Sequence, residues 1–242
     1  MKIIAELEPT RNNEKLVRRL RMLVPHVDAI DIPEVPVGKP IASAPMLAAY
    51  IKAWYPEIEV MPHVRIIDVN KAALLSIVGG ARATRIEELV LLRGDDPLEG
   101  EIVRDLKSVE EAAAYIKTRV RKTPLLGAML SIRYPIERIM TRLTAPLDLY
   151  LVLRATASIR KLAEVSREAQ RLGKKLYAYI IIMGEKNREI LRNMLGDQPL
   201  YTPQEALHVA EEISSLVDGV LLSSPGDVDA VVEAAQRLYR RF

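Results

Sequence analysis

Carboxylates gather where the apolar runs of this chain stop. One run ends Ala5-Glu6-Leu7-Glu8-Pro9, another Ile30-Asp31-Ile32-Pro33-Glu34, and a third Leu91-Leu92-Arg93-Gly94-Asp95-Asp96-Pro97. A short apolar run halted by Gly or Pro reads as a buried strand opening into a loop. Charge just past the end of a buried parallel strand is where α/β proteins hold their sites. A carboxylate partly withdrawn from water there gains a raised pKa and can act as a general acid. Period two puts Glu6 and Glu8 on one face with Ile4, so both are expected to look into the same opening. The run Met61-Pro62-His63-Val64-Arg65 carries one of the three histidines. A histidine there can move a proton near neutral pH or simply hydrogen-bond within the strand layer. Nothing near it has metal-ligand spacing, so no metal site is read. The last run enters Ser223-Ser224-Pro225-Gly226-Asp227 ahead of a helix. Ser223, Ser224 and Gly226 offer hydroxyls and amides to a phosphate, or else the segment is an ordinary helix cap.

These groups need a frame to bring them together. Strand-like runs fall at 2–7, 27–32, 57–64, 87–92, 124–130, 147–153, 176–183 and 217–222. Helical spacing follows each, at 13–23, 40–54, 70–81, 108–120, 135–143, 158–172, 202–216 and 227–241. Residues 184–201 form a longer insertion with a short helix of its own. Ser108 with Glu111, and Thr202 with Pro203 and Glu205, are helix-start signals. Strict alternation means a parallel sheet, and eight units in 242 residues match a (β/α)8 barrel, the TIM barrel. No Pro/Gly-rich linker divides residues 1–242, which are read as one domain. An open doubly wound sheet is the competing fold, but no Gly-x-Gly-x-x-Gly follows the first run.

Composition narrows the function. Apolar residues make 49% and charged residues 28% of the chain, enough for a packed core. Without cysteine there is no disulfide, thiolate ligand or thiol nucleophile. The charge of +3 is spread over 35 basic and 32 acidic residues, and aromatics are only 5%. That argues against nucleic acid but suits a small anionic ligand. Met1 leads straight into a strand, and no apolar run nears the roughly 20 residues of a membrane helix. A soluble, cytoplasmic protein is expected, and the many charges and absent cysteines also suit heat stability.

Two blocks resemble the methylenetetrahydrofolate reductase family. Pro62-His63-Val64-Arg65-Ile66-Ile67-Asp68 is similar to its Pro-His-(Leu)-Thr-x-x-Asp segment, and Leu92-Arg93-Gly94-Asp95-Asp96-Pro97 to its Leu-Arg-Gly-Asp-x-Pro segment. Glu6-Leu7-Glu8-Pro9-Thr10 resembles its Glu-Phe-Phe-Pro-Pro. The likeness covers residues 1–105 and is faint beyond. It implies a barrel that reduces a pterin-bound one-carbon unit, with FAD taking hydride from NAD(P)H. In that reading Glu6 is the acid that opens the pterin ring, Asp95 orients pterin and flavin, and Glu8 joins Asp95 at the substrate. His63, Arg93 and Gly94 match flavin-contacting positions, and Arg142 a basic residue near the flavin phosphates. Arg65 stands where the family has Thr, and Ser131-Ile132-Arg133-Tyr134-Pro135 replaces its FAD-holding Tyr-Pro-Glu-x-His-Pro. Two other readings stay open: a non-redox pterin or methyl-carrier barrel, acting as a methyltransferase component or accessory subunit, and an unrelated barrel enzyme using a phosphorylated metabolite at Ser223 to Asp227. A homo-oligomer is compatible with any of them.

Overall fold

The computed structural model describes residues 1–195 and 198–242. Strands β1 (Lys2–Glu6), β2 (Ala29–Ile32), β3 (Glu59–Arg65), β4 (Glu88–Leu92), β5 (Leu125–Ser131), β6 (Leu149–Leu153), β7 (Lys175–Ile182) and β9 (Gly219–Ser223) pair in parallel. β1 pairs with both β2 and β9, and β7 with both β6 and β9, so the sheet closes on itself. The protein is a single (β/α)8 barrel. A two-residue strand, β8 (Leu200–Tyr201), adds to the end of β7. It lies in the 184–201 insertion, along with helix α7 (Arg188–Leu195). Residues 196 and 197 of that insertion lie outside the described residues.

Alternation along the strands divides the core in two. Ile4, Ala29, Met61, Val90, Leu149, Leu151, Tyr177 and Leu221 point inward and fill the barrel. Their neighbours, such as Ile3, Ile30, Val60 and Leu89, point outward and pack beneath the helices. Each wholly buried aliphatic side chain stabilises the fold by about 1.5–3 kcal/mol. The filling is tight: a Cβ at Gly127 would meet the Leu149 side chain at 2.4 Å. Glycine is the residue that leaves room for Leu149 there.

The helices start where their capping residues dictate. Asn12, Asn70, Ser108, Ser158, Thr202 and Asp227 each accept a hydrogen bond from an amide in the first turn. Thr202 and Glu205 complete a reciprocal box. At Ser108 the reciprocity fails, because the Glu111 carboxylate takes the amide of Lys107 instead. Helix α2 (Ala44–Trp54) starts four residues later than the pattern 40–54 suggests. Residues 33–43 are spent on a tight loop in which Val35 and Val37 hold left-handed backbone, φ 45° and 51°. Branched residues resist that conformation, so surrounding contacts must hold the loop. No helix among the described residues is long and apolar enough to cross a membrane.

Candidate functional site at the barrel mouth

Above the apolar filling, the same inward alternation brings polar groups to the C-terminal end of the barrel. Glu6 and Asp31 are direct register partners on β1 and β2. Asp31 pairs with Met61 on β3, and His63 stands two residues further along the same face. Asp31 Oδ1 lies 2.8 Å from His63 Nε2, and the two residues are 0% and 3% exposed. Asp31 Oδ2 is buried with no hydrogen-bond donor facing it. From β9, Ser223 Oγ donates to Glu6 Oε1 at 2.7 Å, and from β7 the Tyr179 hydroxyl bonds Glu6 Oε2. Three acid–base groups, Asp31 and His63 buried and Glu6 partly exposed, thus share one layer. Inward side chains of this layer, including Glu6, Leu92, Met129 and Tyr179, are partly exposed, whereas those one layer down are sealed. The barrel is open at this end only as deep as Glu6.

The electrostatics follow from that placement. Burial, and then the neighbouring Asp31 charge, push Glu6 up to about 8, against the opposing hydrogen bond from Ser223 and the charge of His63. Glu6 is therefore a protonated acid at neutral pH. Burial alone would hold His63 down. The charge and hydrogen bond of Asp31, with help from Glu6 and Glu34, outweigh it and raise the imidazole above its ordinary value. Glu34, on the strained loop, is also raised, chiefly by burial, although the Ala44 amide donates to it.

Other expected site residues fall elsewhere. Glu8 lies beyond the end of β1, close to Glu6 but held by groups outside the strand layer. Its Oε1 accepts from the Gly226 amide at 2.7 Å and its Oε2 from Arg19 at 2.9 Å. The amides and hydroxyls expected to greet a phosphate are thus already engaged. Gly226 holds Glu8, Ser223 holds Glu6, and Ser224 Oγ donates to the Ile182 carbonyl and accepts from Asn187 Nδ2, both at 2.8 Å.

Asp95 is exposed on the rim and contributes its main chain: its carbonyl accepts from Arg65 Nη2 at 2.6 Å. Arg93, also exposed, pairs with Asp96 at 2.8 Å. Gly94 is packed against Arg65, whose Nε lies 2.5 Å from where a Cβ would be. Arg65 itself is 1% exposed, donates also to the Val35 carbonyl at 3.0 Å, and forms an ion pair with Asp68 at 3.0 Å. It clamps the strained loop to the β4 loop across the positions expected to touch a flavin. Arg142 is on the far side of the mouth, bonded to the Met129 carbonyl at 3.1 Å and to Glu110. His63, Arg93, Gly94 and Arg142 therefore do not converge on one flavin-shaped space, and no step is routed through a flavin. No cluster of three His, Asp or Glu among the described residues is placed to hold a metal.

Three functional residues were not singled out by pattern. Asp31 is the lone charge inside an apolar strand, and that is a legible signal. Tyr179 is two residues from Tyr177 and so shares its face. Arg65 is visible only as a charge that the strand buries.

Comparison with known proteins places the fold. No family model and no curated protein matches this chain. Solved structures do match. A protein of Aquifex aeolicus VF5 is similar at TM-score 0.60 and 13% identity, over 99% of this chain and 92% of its own. A chain of the tryptophan synthase α2β2 complex of Pyrococcus furiosus matches at 0.58 and 14%, over 99% and 95%. The 3-keto-L-gulonate-6-phosphate decarboxylase of Vibrio cholerae matches at 0.59 and 10%, over 100% and 98%. At such identities the likeness shows the barrel and not the activity. The kinship with methylenetetrahydrofolate reductases does not hold, and the pterin-reductase, oxidoreductase and flavoprotein readings fall with it. No model of any family fits the chain, and the barrels it resembles belong to a decarboxylase and a synthase. The physical reason is local. The two matching blocks are used here for a buried Asp31–His63 pair and for an Arg65 clamp.

Proposed function

We propose that this barrel is a non-redox, lyase-type enzyme in which Glu6 transfers a proton to a substrate carbon. The observation that carries this is a carboxyl at the C-terminal end of the barrel, bracketed by the hydroxyls of Tyr179 and Ser223 and backed by Asp31–His63, a setting that raises its pKa. An acid whose pKa is near the working pH is both present in the right form and able to give up its proton. When the bond from a carboxylate to the carbon beside a ketone breaks, CO2 leaves and the bond's electron pair stays on the substrate as an enolate. Glu6 protonates that carbon, and solvent returns the proton to Glu6. Asp31 and His63 do not need to touch substrate; their charges set the proton affinity of Glu6. The decarboxylase among the similar barrels supports chemistry of this kind on this fold.

The test is a panel of small keto acids and ketose phosphates incubated in D2O and followed by proton NMR. The expected result is cleavage, or exchange beside the carbonyl, with solvent deuterium at one carbon. General acid catalysis predicts a loss of about 10²–10⁴-fold in Glu6→Gln. A responsive compound handled equally well by Glu6→Gln removes Glu6 from the chemistry.

A further inference from the structure

A cavity of about 810 Å³ lies against β5, β6 and the helix between them. β5 is four places from β1 around the closed barrel, so the cavity is on the opposite side of the barrel from Glu6. Its inner wall is apolar: Met129, Leu130, Leu153 and Ile139, the last on helix α5 (Ile136–Leu143). Met129 also packs against the interior cluster of the barrel, so cavity and mouth share a wall. The outer wall is cationic. Arg133, Arg138, Arg142 and Arg154 line it, with Arg142 committed to Glu110; Arg138 is the cation this wall offers. Arg138 stands over the Tyr134 ring at 4.6 Å, and no described carboxylate pairs with it. Arginines beside an apolar wall recognise an anion carrying a hydrophobic body. The usual anion position of a barrel, at the last strand's loop, is meanwhile filled by Glu8 on Gly226.

We infer that the cavity between β5, β6 and α5 binds an amphipathic organic anion, with the anionic group at Arg138 and the apolar body against Met129, Leu153 and Ile139. As a statement of substrate class it rests on the lyase reading; as a binding site it stands alone. The probe is 1-anilinonaphthalene-8-sulfonate, titrated into the folded full chain and followed by fluorescence, with circular dichroism confirming each variant's fold. One saturable site is expected. The uncharged N-phenyl-1-naphthylamine, and Thr141→Trp, which fills the cavity from its exposed edge, should each weaken binding by about tenfold or more. Arg138→Gln should weaken it by about fivefold, and 0.5 M salt should weaken it as well. Absence of a saturable site, or equal affinity for the neutral dye or in Thr141→Trp, overturns the proposal. Glu6→Gln is expected to bind the dye like the unmodified protein, so failure of anion binding and failure of the proton-transfer reading are read separately.

Discussion

The two ends of the barrel interior each hold a carboxylate hydrogen-bonded to a tyrosine, and their surroundings make them different groups. At the closed end, Glu88 is 1% exposed and accepts from the Tyr177 hydroxyl at 2.7 Å. Lys2 lies 3.2 Å and Lys175 3.8 Å from it, and Lys2 also bonds Glu59 at 2.6 Å. Burial, followed by the nearby Glu88 charge, pushes the Tyr177 hydroxyl up, so it remains a donor. Charges there are balanced within the protein, and nothing is left to give a substrate. At the open end, Glu6 has the Tyr179 hydroxyl but no lysine; its neighbours are Asp31 and His63. The same pair of residue types is a structural ion network below and a proton donor above. Countercharge, more than burial, decides which.

The sharpest way to break that contrast is to remove each carboxylate in turn. Glu6→Gln should cost about 10²–10⁴-fold in rate with the responsive compound, while Glu88→Gln leaves the rate intact. Stability should reverse the order. Glu88→Gln weakens the acceptor of the buried Tyr177 hydroxyl and removes one of the two carboxylates on Lys2, and should cost about 1–3 kcal/mol by urea titration, with Glu6→Gln costing less. Equal stability losses would mean that both ends are structural. Arg65→Met tests the clamp that shapes the rim. It leaves the Val35 and Asp95 carbonyls without their donor, and a loss of about 2–4 kcal/mol is expected.

The pH dependence discriminates next. The folded-state pKa values of Glu6 and His63 are both raised. A raised pKa means that the folded protein holds the proton more tightly than the unfolded chain. That stabilisation is complete below the unfolded values and fades as pH climbs through the folded ones. The Glu6 contribution should therefore be lost between about pH 4.5 and 8, and Glu6→Gln should flatten the fall of Tm over that range. A slope identical in Glu6→Gln would place the titration elsewhere. The smallest effect belongs to Asp95→Asn. Only its main chain is engaged, and stability should change by no more than about 0.5 kcal/mol.

Much of this was legible in the residues. The alternation of apolar runs and helical spacing gave the eight-fold barrel, because each period reflects which face a local element must bury. Helix α1 (Asn13–Leu23) begins and ends where its pattern does, with Asn12 as its cap. Glu6 could be placed at the opening because it is in phase with Ile4. Glu8 could not, because it lies beyond the end of the strand and is held by groups outside the strand layer. The family likeness at His63 and at Leu92 to Pro97 misled for a related reason: a short motif records residue types and not their partners. Here His63 faces Asp31, and Gly94 makes room for Arg65.

What the sequence determined alone is therefore periodic and local: the fold class, the caps, and the phase of Glu6 with Ile4. Tertiary structure decided the rest. It brought Tyr179 and Ser223 onto Glu6 across separations of 173 and 217 residues, and put Glu8 on the amide of Gly226. It also left lysines beside one carboxylate and none beside the other. A proton's affinity depends on every charge and dipole within a few ångströms, and in a closed barrel those neighbours come from strands far apart in the chain.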